Sequence, residues 1–273
     1  MALIDKLTAI GDAIRNKTGK TDLLTLDGMI EEIEGIEGGI SIDDVVQKKL
    51  TSVKTNAKDI GIYTFYGYTD LQRVDASSCK TAGEGAFQYC ANLEVVNMPQ
   101  LEEITGLYCF VGCDALETIS LPKLWRIHDN TFYNCKSLKY VNVPLITYVG
   151  PNDFSGTAIE SISLPSVEIV YTNGFANCKN LKIIDFGLSP DLARTYSFNG
   201  CSNLTTIVIR GNTVSTLSNV NNFNGTPFAV GGTGGTVYVP ATLVEAYKNS
   251  TNWSVLYGAG TCNFVAIEGS EYE

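Results

Sequence analysis

Basic residues are scarce in this chain. Its 19 lysines and arginines face 29 acids, a formal net charge of −10. A nucleic-acid partner needs a basic stripe to neutralise phosphates, so that class is set aside. Anchoring on anionic lipid is disfavoured for the same reason. No apolar run reaches the length of about 18 residues that marks a membrane span, so no insertion is expected. The start, Met1-Ala2-Leu3-Ile4-Asp5-Lys6, has no basic head, apolar run or small-residue cleavage site. The reading is a protein made in the cytoplasm without a signal peptide.

Histidine is nearly absent, and His128 stands alone in Trp125-Arg126-Ile127-His128-Asp129-Asn130. Adjacent residues of an extended segment point different ways, and no nucleophile is marked nearby, so His128 is read as a surface residue rather than half of a catalytic pair. Cys109 and Cys113 lack the further ligands that zinc requires. The stretch Gly231-Gly232-Thr233-Gly234-Gly235 is not followed by Gly-Lys-Ser/Thr, so it is a connection and not a phosphate cradle. The many carboxylates show no sign of the opposed pair that glycoside hydrolysis uses. The chain is therefore read as a non-enzyme without cofactor or metal.

What the chain does have is a repeated phrase. Phe-x-x-Cys-x-x-Leu recurs at Phe87-Cys90-Leu93, Phe110-Cys113-Leu116, Phe132-Cys135-Leu138, Phe175-Cys178-Leu181 and Phe198-Cys201-Leu204. Looser copies begin at Phe65, Phe154 and Phe223. Successive phenylalanines stand 21 to 25 residues apart, a period in the range of leucine-rich repeats, which stack as a solenoid. A hydrophobic fraction of 44% suits one continuous core. Five of the eight cysteines hold the same repeat position, where Tyr68, Thr157 and Thr226 replace them. A position that accepts Cys or Thr is a packing slot, so the cysteines are read as reduced and structural.

In chain order, residues 1–39 form an expected helical docking or oligomerisation module. Leu3, Leu7, Ile10 and Ile14 recur at helical spacing, and Leu26, Met29, Ile30 and Ile33 follow in a second, shorter pattern. Residues 40–64 are read as an opening cap, 65–235 as the solenoid and 236–273 as a carboxy-terminal cap. Within a repeat such as Leu116-Glu117-Thr118-Ile119-Ser120-Leu121-Pro122, strand alternation points Leu116, Ile119 and Leu121 inward and Thr118 and Ser120 outward. Pro99, Pro122, Pro144 and Pro165 end their strands. Near the end, Thr242 and Glu245 suggest a capping box on a short helix, and Trp253, Leu256, Phe264 and Val265 are apolar enough to seal the last coil.

This repeat resembles the BspA-like, or Treponema pallidum-type, leucine-rich repeat over roughly residues 50–240. The resemblance implies an α+β repeat solenoid: a right-handed coil with a parallel sheet, used as a binding or adhesion surface. The first 39 residues resemble the amino-terminal segment of tail, baseplate or fibre proteins from phages and prophages of gut Firmicutes. That likeness, with the missing signal peptide, implies a phage or prophage tail-associated protein. A bacterial cell-surface adhesion or host-interaction protein is the alternative.

The outward strand face offers two columns. One reads Arg73, Val95, Thr118, Tyr140, Ser161, Ile183, Thr206; the other reads Asp75, Asn97, Ser120, Asn142, Ser163, Asp185, Val208. Arg73, Asp75, Asn97, Thr118, Tyr140, Asn142 and Asp185 are the candidate ligand contacts, with Tyr140 and Asn142 foremost. The expected partner is a protein or a cell-surface glycan, with homo-oligomerisation or docking to a tail structure through the amino-terminal helices.

Overall fold

The coils lay down short strands on two sides, and within each sheet a strand pairs in parallel with its counterpart one coil on. The computed structural model describes residues 47–192 and 194–273. The expected helices of residues 1–39 lie outside them. On one side run Ser52–Lys54, Arg73–Asp75 and Val95–Asn97; then Thr118–Ser120 beside Tyr140–Asn142; then Ser161–Leu164, Ile183–Phe186, Thr206–Ile209, Gly235–Val239 and Cys262–Ala266. The register is one coil per step: Ser52↔Arg73↔Val95, Thr118↔Tyr140 and Ser161↔Ile183↔Thr206↔Thr236. A second ladder, legible in the sequence only as an apolar position five residues before Phe65, Phe132 and Phe154, runs through Asp59–Ile60, Thr81–Ala82 and Glu103–Ile104, and again through Tyr148–Val149 and Ile169–Val170. The coil before Phe65 already contributes to both ladders.

Between the ladders and the turns lies the core. Leu116, Ile119 and Leu121 are buried, while Thr118 and Ser120 are exposed, as alternation requires. The opposite wall is a file of eight phenylalanine rings from Phe65 to Phe223. Seven offset stacks join them, with centroids 5.1–5.7 Å apart and planes within 15°. Such pairs add about 0.5–1.5 kcal/mol beyond the burial of each ring.

The cysteine slot beside this file has a polar task as well as a packing one. The thiols of Cys90, Cys113, Cys135, Cys178 and Cys201 donate to the carbonyls of Phe65, Phe87, Phe110, Phe154 and Phe175, one coil back, at 2.9–3.2 Å. Thr157 and Thr226 instead donate to Phe154 and Phe223 within their own coils, at 2.8 and 2.7 Å. Both residue types are small donors, which explains their exchange. All eight cysteines are buried free thiols. Burial pushes Cys90 and Cys135 up to about 12.

The turn around each Phe from Phe65 to Phe198 takes left-handed backbone on both sides. Asn130, Asn152 and Asn173 hold it two residues before, and Gly112, Gly156 and Gly200 two residues after. A Cβ on Gly112 would fall 2.8 Å from the Tyr89 ring of the preceding coil.

The last coil is closed by α1 (Val244–Asn249) and α2 (Trp253–Gly258). Tyr247, Trp253 and Leu256 are buried there, and Trp253 packs on the final ring, Phe223, at 5.8 Å. Their polar tips occupy the open strand edge. Ser215 N–H donates to the Tyr247 hydroxyl, Trp253 Nε1–H donates to Ser215 O, and Asn252 Nδ2 donates to Leu217 O, at 2.6–2.8 Å. An exposed edge would otherwise invite another strand.

Two expectations fail here. Thr242 and Glu245 form no capping box: Glu245 pairs with Lys248 at 2.7 Å, and the free N–H of Ala241 goes to Glu268 at 2.9 Å. A short 3-10 turn, Ala241–Leu243, precedes α1 and puts Thr242 out of the capping position. The glycine stretch also ends sooner than expected, since Gly235 already belongs to a strand; the Phe228 ring lies where its Cβ would be. Among the described residues no helix is long and apolar enough to cross a membrane.

Candidate recognition surface

The outward strand face is the broad surface that the ladders leave uncovered. Arg73, Asn97, Thr118, Tyr140 and Asn142 are exposed on it, and Asp75 and Asp185 are half-buried. Register places them in the two expected columns. Hydrogen bonds run along a column from coil to coil: Asn97 Nδ2 donates to Asp75, and Asn142 Nδ2 to Ser120 Oγ, both at 2.9 Å. These bonds orient the amides and leave Tyr140 standing above its neighbours, 60% exposed.

Three of the candidates come together. Thr118, Tyr140 and Asn142 line a shallow depression of about 290 Å³ with Ser120, Ser161 and Ser163. A ring beside a bed of hydroxyls and amides can stack on an apolar face and hydrogen-bond at its rim. Arg73, Asp75 and Asn97 lie on the earlier sheet, outside this depression. Asp185 is engaged elsewhere: its carboxylate holds Arg210 by two 3.0 Å contacts and one of 3.3 Å.

The columns are not open to their end. Val208, expected outside, is fully buried. Its register partner is Tyr238, whose ring packs against Tyr272 at 4.6 Å, and Tyr272 hydrogen-bonds Thr206. The chain's last residues fold back onto this end of the face, leaving Thr206 half-buried beside Val208. Sequence alternation foresees which side of the strand a residue takes, but not what the chain terminus later lays on it.

A second concavity, about 320 Å³, opens beside the second ladder and is lined by Asp129, Tyr148, Pro151 and Tyr171. Behind it lies Asp153, fully buried, which accepts from Thr131 N–H at 3.0 Å and Gly150 N–H at 2.6 Å. Burial outweighs those two donors and pushes its carboxyl up to about 8, with Asp129 adding to the rise. Sequence reading passed over this site. Its signal was present in the glycines four residues before Phe65, Phe87, Phe110 and Phe154, which are Gly61, Gly83, Gly106 and Gly150.

Comparison with known proteins places this geometry. The profile of the BspA type leucine-rich repeat region, in six copies, matches residues 46–149 and 125–228. The chain belongs to this family. A leucine-rich repeat protein from Bacteroides ovatus shares its fold at a TM-score of 0.53 and 22% identity, over 83% of this chain and 65% of that one. A leucine-rich cell surface protein from Faecalibacterium prausnitzii aligns with a TM-score of 0.49 at 26% identity, over 59% of this chain and 55% of that one. The T. pallidum leucine-rich repeat protein aligns with 0.44 at 19% identity, over 85% and 97% of the two chains. The chain thus spans less than two-thirds of the first two structures. No curated protein sequence matches it. Family membership agrees with a binding surface made of repeats.

Proposed function

We propose that this BspA-type protein is a non-catalytic recognition protein whose outward strand face binds a protein or a glycan. The observation that carries the reading is the depression in which Thr118, Tyr140 and Asn142 converge around an exposed ring. Tyrosine supplies a large contact area at low entropy cost, and the surrounding hydroxyls supply adaptable hydrogen bonds. Arg73, Asp75 and Asn97 extend the same columns and would contact the more distant parts of a large partner.

Two settings suit such a surface. In the first, the protein is attached to a phage or prophage tail through residues 1–39 and presents its repeats to a host cell; the acidic, amphipathic pattern of that segment supports this. In the second it is displayed on a bacterial surface. The recognition reading is tested by screening the full chain against host-cell surface proteins and glycans, then repeating the best hits with Tyr140→Ala and Asn142→Ala. Loss of binding in these variants, with unchanged thermal melting, is expected; undiminished binding in both would remove the strand face from the reading. Light scattering on the full chain and on residues 40–273 tests the first setting. Assembly that disappears on truncation supports it, and two monomers favour display on a surface.

A further inference from the structure

The concavity beside the second ladder is a notch with a definable cause. In the coil position four residues before the Phe stand Gly61, Gly83, Gly106, His128, Gly150, Tyr171 and Arg194. Backbone bonds confirm the stacking around Gly150: Asn130 N–H donates to Pro151 O, and Tyr171 N–H to Val149 O. Glycine at 150 admits the Asp129 and Asp153 carboxylates, which fill the space a side chain there would take, between coils that carry His128 and Tyr171. Two strand spacings separate those coils, roughly 10 Å. A Cβ on Gly150 would come within 3.0 Å of carboxylate oxygens from both Asp129 and Asp153, so the glycine lets Asp129 sit in the wall of a concavity completed by Tyr148, Pro151 and Tyr171.

Its walls are fixed in place before any ligand arrives. The Tyr148 hydroxyl donates to the Ile127 carbonyl and is also bonded by Arg126, which in turn holds Glu103 at 2.9 Å. Tyr171 packs edge-on against Tyr148 at 6.3 Å, and the Arg194 guanidinium lies 5.3 Å from its ring centre. Two aromatic rings and a proline provide an apolar wall, and Asp129 provides an acceptor facing the opening. That combination suits a ring whose faces are C–H and whose rim is hydroxyl. An extended peptide needs a groove running over several coils, whereas this concavity is lined by four residues only, Asp129, Tyr148, Pro151 and Tyr171.

We propose that the notch between Asp129, Tyr148, Pro151 and Tyr171 binds one hexose unit of a glycan, with Tyr148 and Tyr171 against its apolar face and Asp129 accepting from its hydroxyls. The buried carboxyl of Asp153 backs the site without touching the ligand. This site is distinct from the strand face, so either can fail while the other stands.

The test uses the full chain with three probes, D-glucose, D-galactose and N-acetyl-D-glucosamine, followed by calorimetry and saturation-transfer NMR. At least one is expected to bind saturably, with transfer strongest at the ring C–H protons. Asp129→Asn and Tyr171→Ala should each weaken it by about tenfold or more, a loss of the order of one good polar or aromatic contact. Val230→Ala, at an exposed residue outside both concavities, should leave it unchanged. Asp129→Asn hardly alters volume, so it keeps the test valid if Tyr171→Ala fails to fold. No saturable binding of any of the three sugars would overturn the proposal. So would binding that survives Asp129→Asn and Tyr171→Ala, or a site that takes a proline-rich peptide in place of sugar.

Discussion

The phenylalanine wall and the strand face belong to the same coils, yet they vary in opposite ways. Along the wall the residue is the same at every step from Phe65 to Phe223, and from Cys90 onward the neighbouring slot holds only Cys or Thr. Along the face, Arg73, Val95, Thr118, Tyr140, Ser161 and Ile183 succeed one another with no shared chemistry. A buried position must fit identical neighbours above and below, and any change leaves a hole at two interfaces. An outward position meets mostly water and its two column neighbours, so the fold leaves its identity open for recognition.

This contrast can be broken most severely at the centre of the wall. Phe132→Ala should cost about 3–5 kcal/mol in chemical denaturation, because the ring is fully buried between Phe110 and Phe154. Phe65→Ala, at a half-buried end of the file with one ring neighbour in it, should cost less. Equal losses would show that neither burial nor the second ring neighbour sets the cost along the file.

Asp153 sharpens the contrast, as a titratable group placed inside the wall. Its carboxyl rises from 3.8 to about 8 on folding, so between those values the folded chain binds more protons than the unfolded one. Stability contributed by the proton is fully present below about pH 4 and is lost as pH rises through about 8. Asp153→Asn should flatten this dependence by a few kcal/mol across the window. Asn222 holds the equivalent position, its Oδ1 accepting from Ser197 N–H at 3.2 Å and its Nδ2 donating to Leu192 O at 2.7 Å; Asp153→Asn keeps the first kind of bond and leaves the Gly150 N–H without its carboxylate acceptor. Identical pH profiles for the wild type and Asp153→Asn would refute the assignment.

Within the cysteine slot the effects should be smaller. Cys135→Ala should lose about 1 kcal/mol with its hydrogen bond to Phe110 O, and Cys135→Thr should recover part of it, as Thr157 does naturally. The native thiols should react slowly with a thiol reagent at pH 8, and quickly once unfolded, because each is buried. On the face, Tyr140→Ala should shift stability by no more than about 0.5 kcal/mol while altering recognition.

Most of the wall and the polarity of each strand could be read from the sequence. Period and alternation report local geometry that repeats at every coil, and Leu116, Ile119 and Thr118 fell where they should. Less of the candidate site was legible. Tyr140 and Asn142 could be found by counting columns, but the hold of Arg210 on Asp185 spans 25 positions and leaves no periodic mark.

By itself, then, the sequence determined the repeat, the inward residues and the file of rings, because a solenoid sets each residue against its own equivalent one coil away. Only the tertiary structure decided which outward residues stay accessible and where a concavity opens. Tyr272 reaches Thr206 because the chain end folds back, and the notch exists because Asp129, Gly150 and Tyr171, from three successive coils, meet at one point. Those outcomes depend on the particular side chains that packing brings side by side, which no single period encodes.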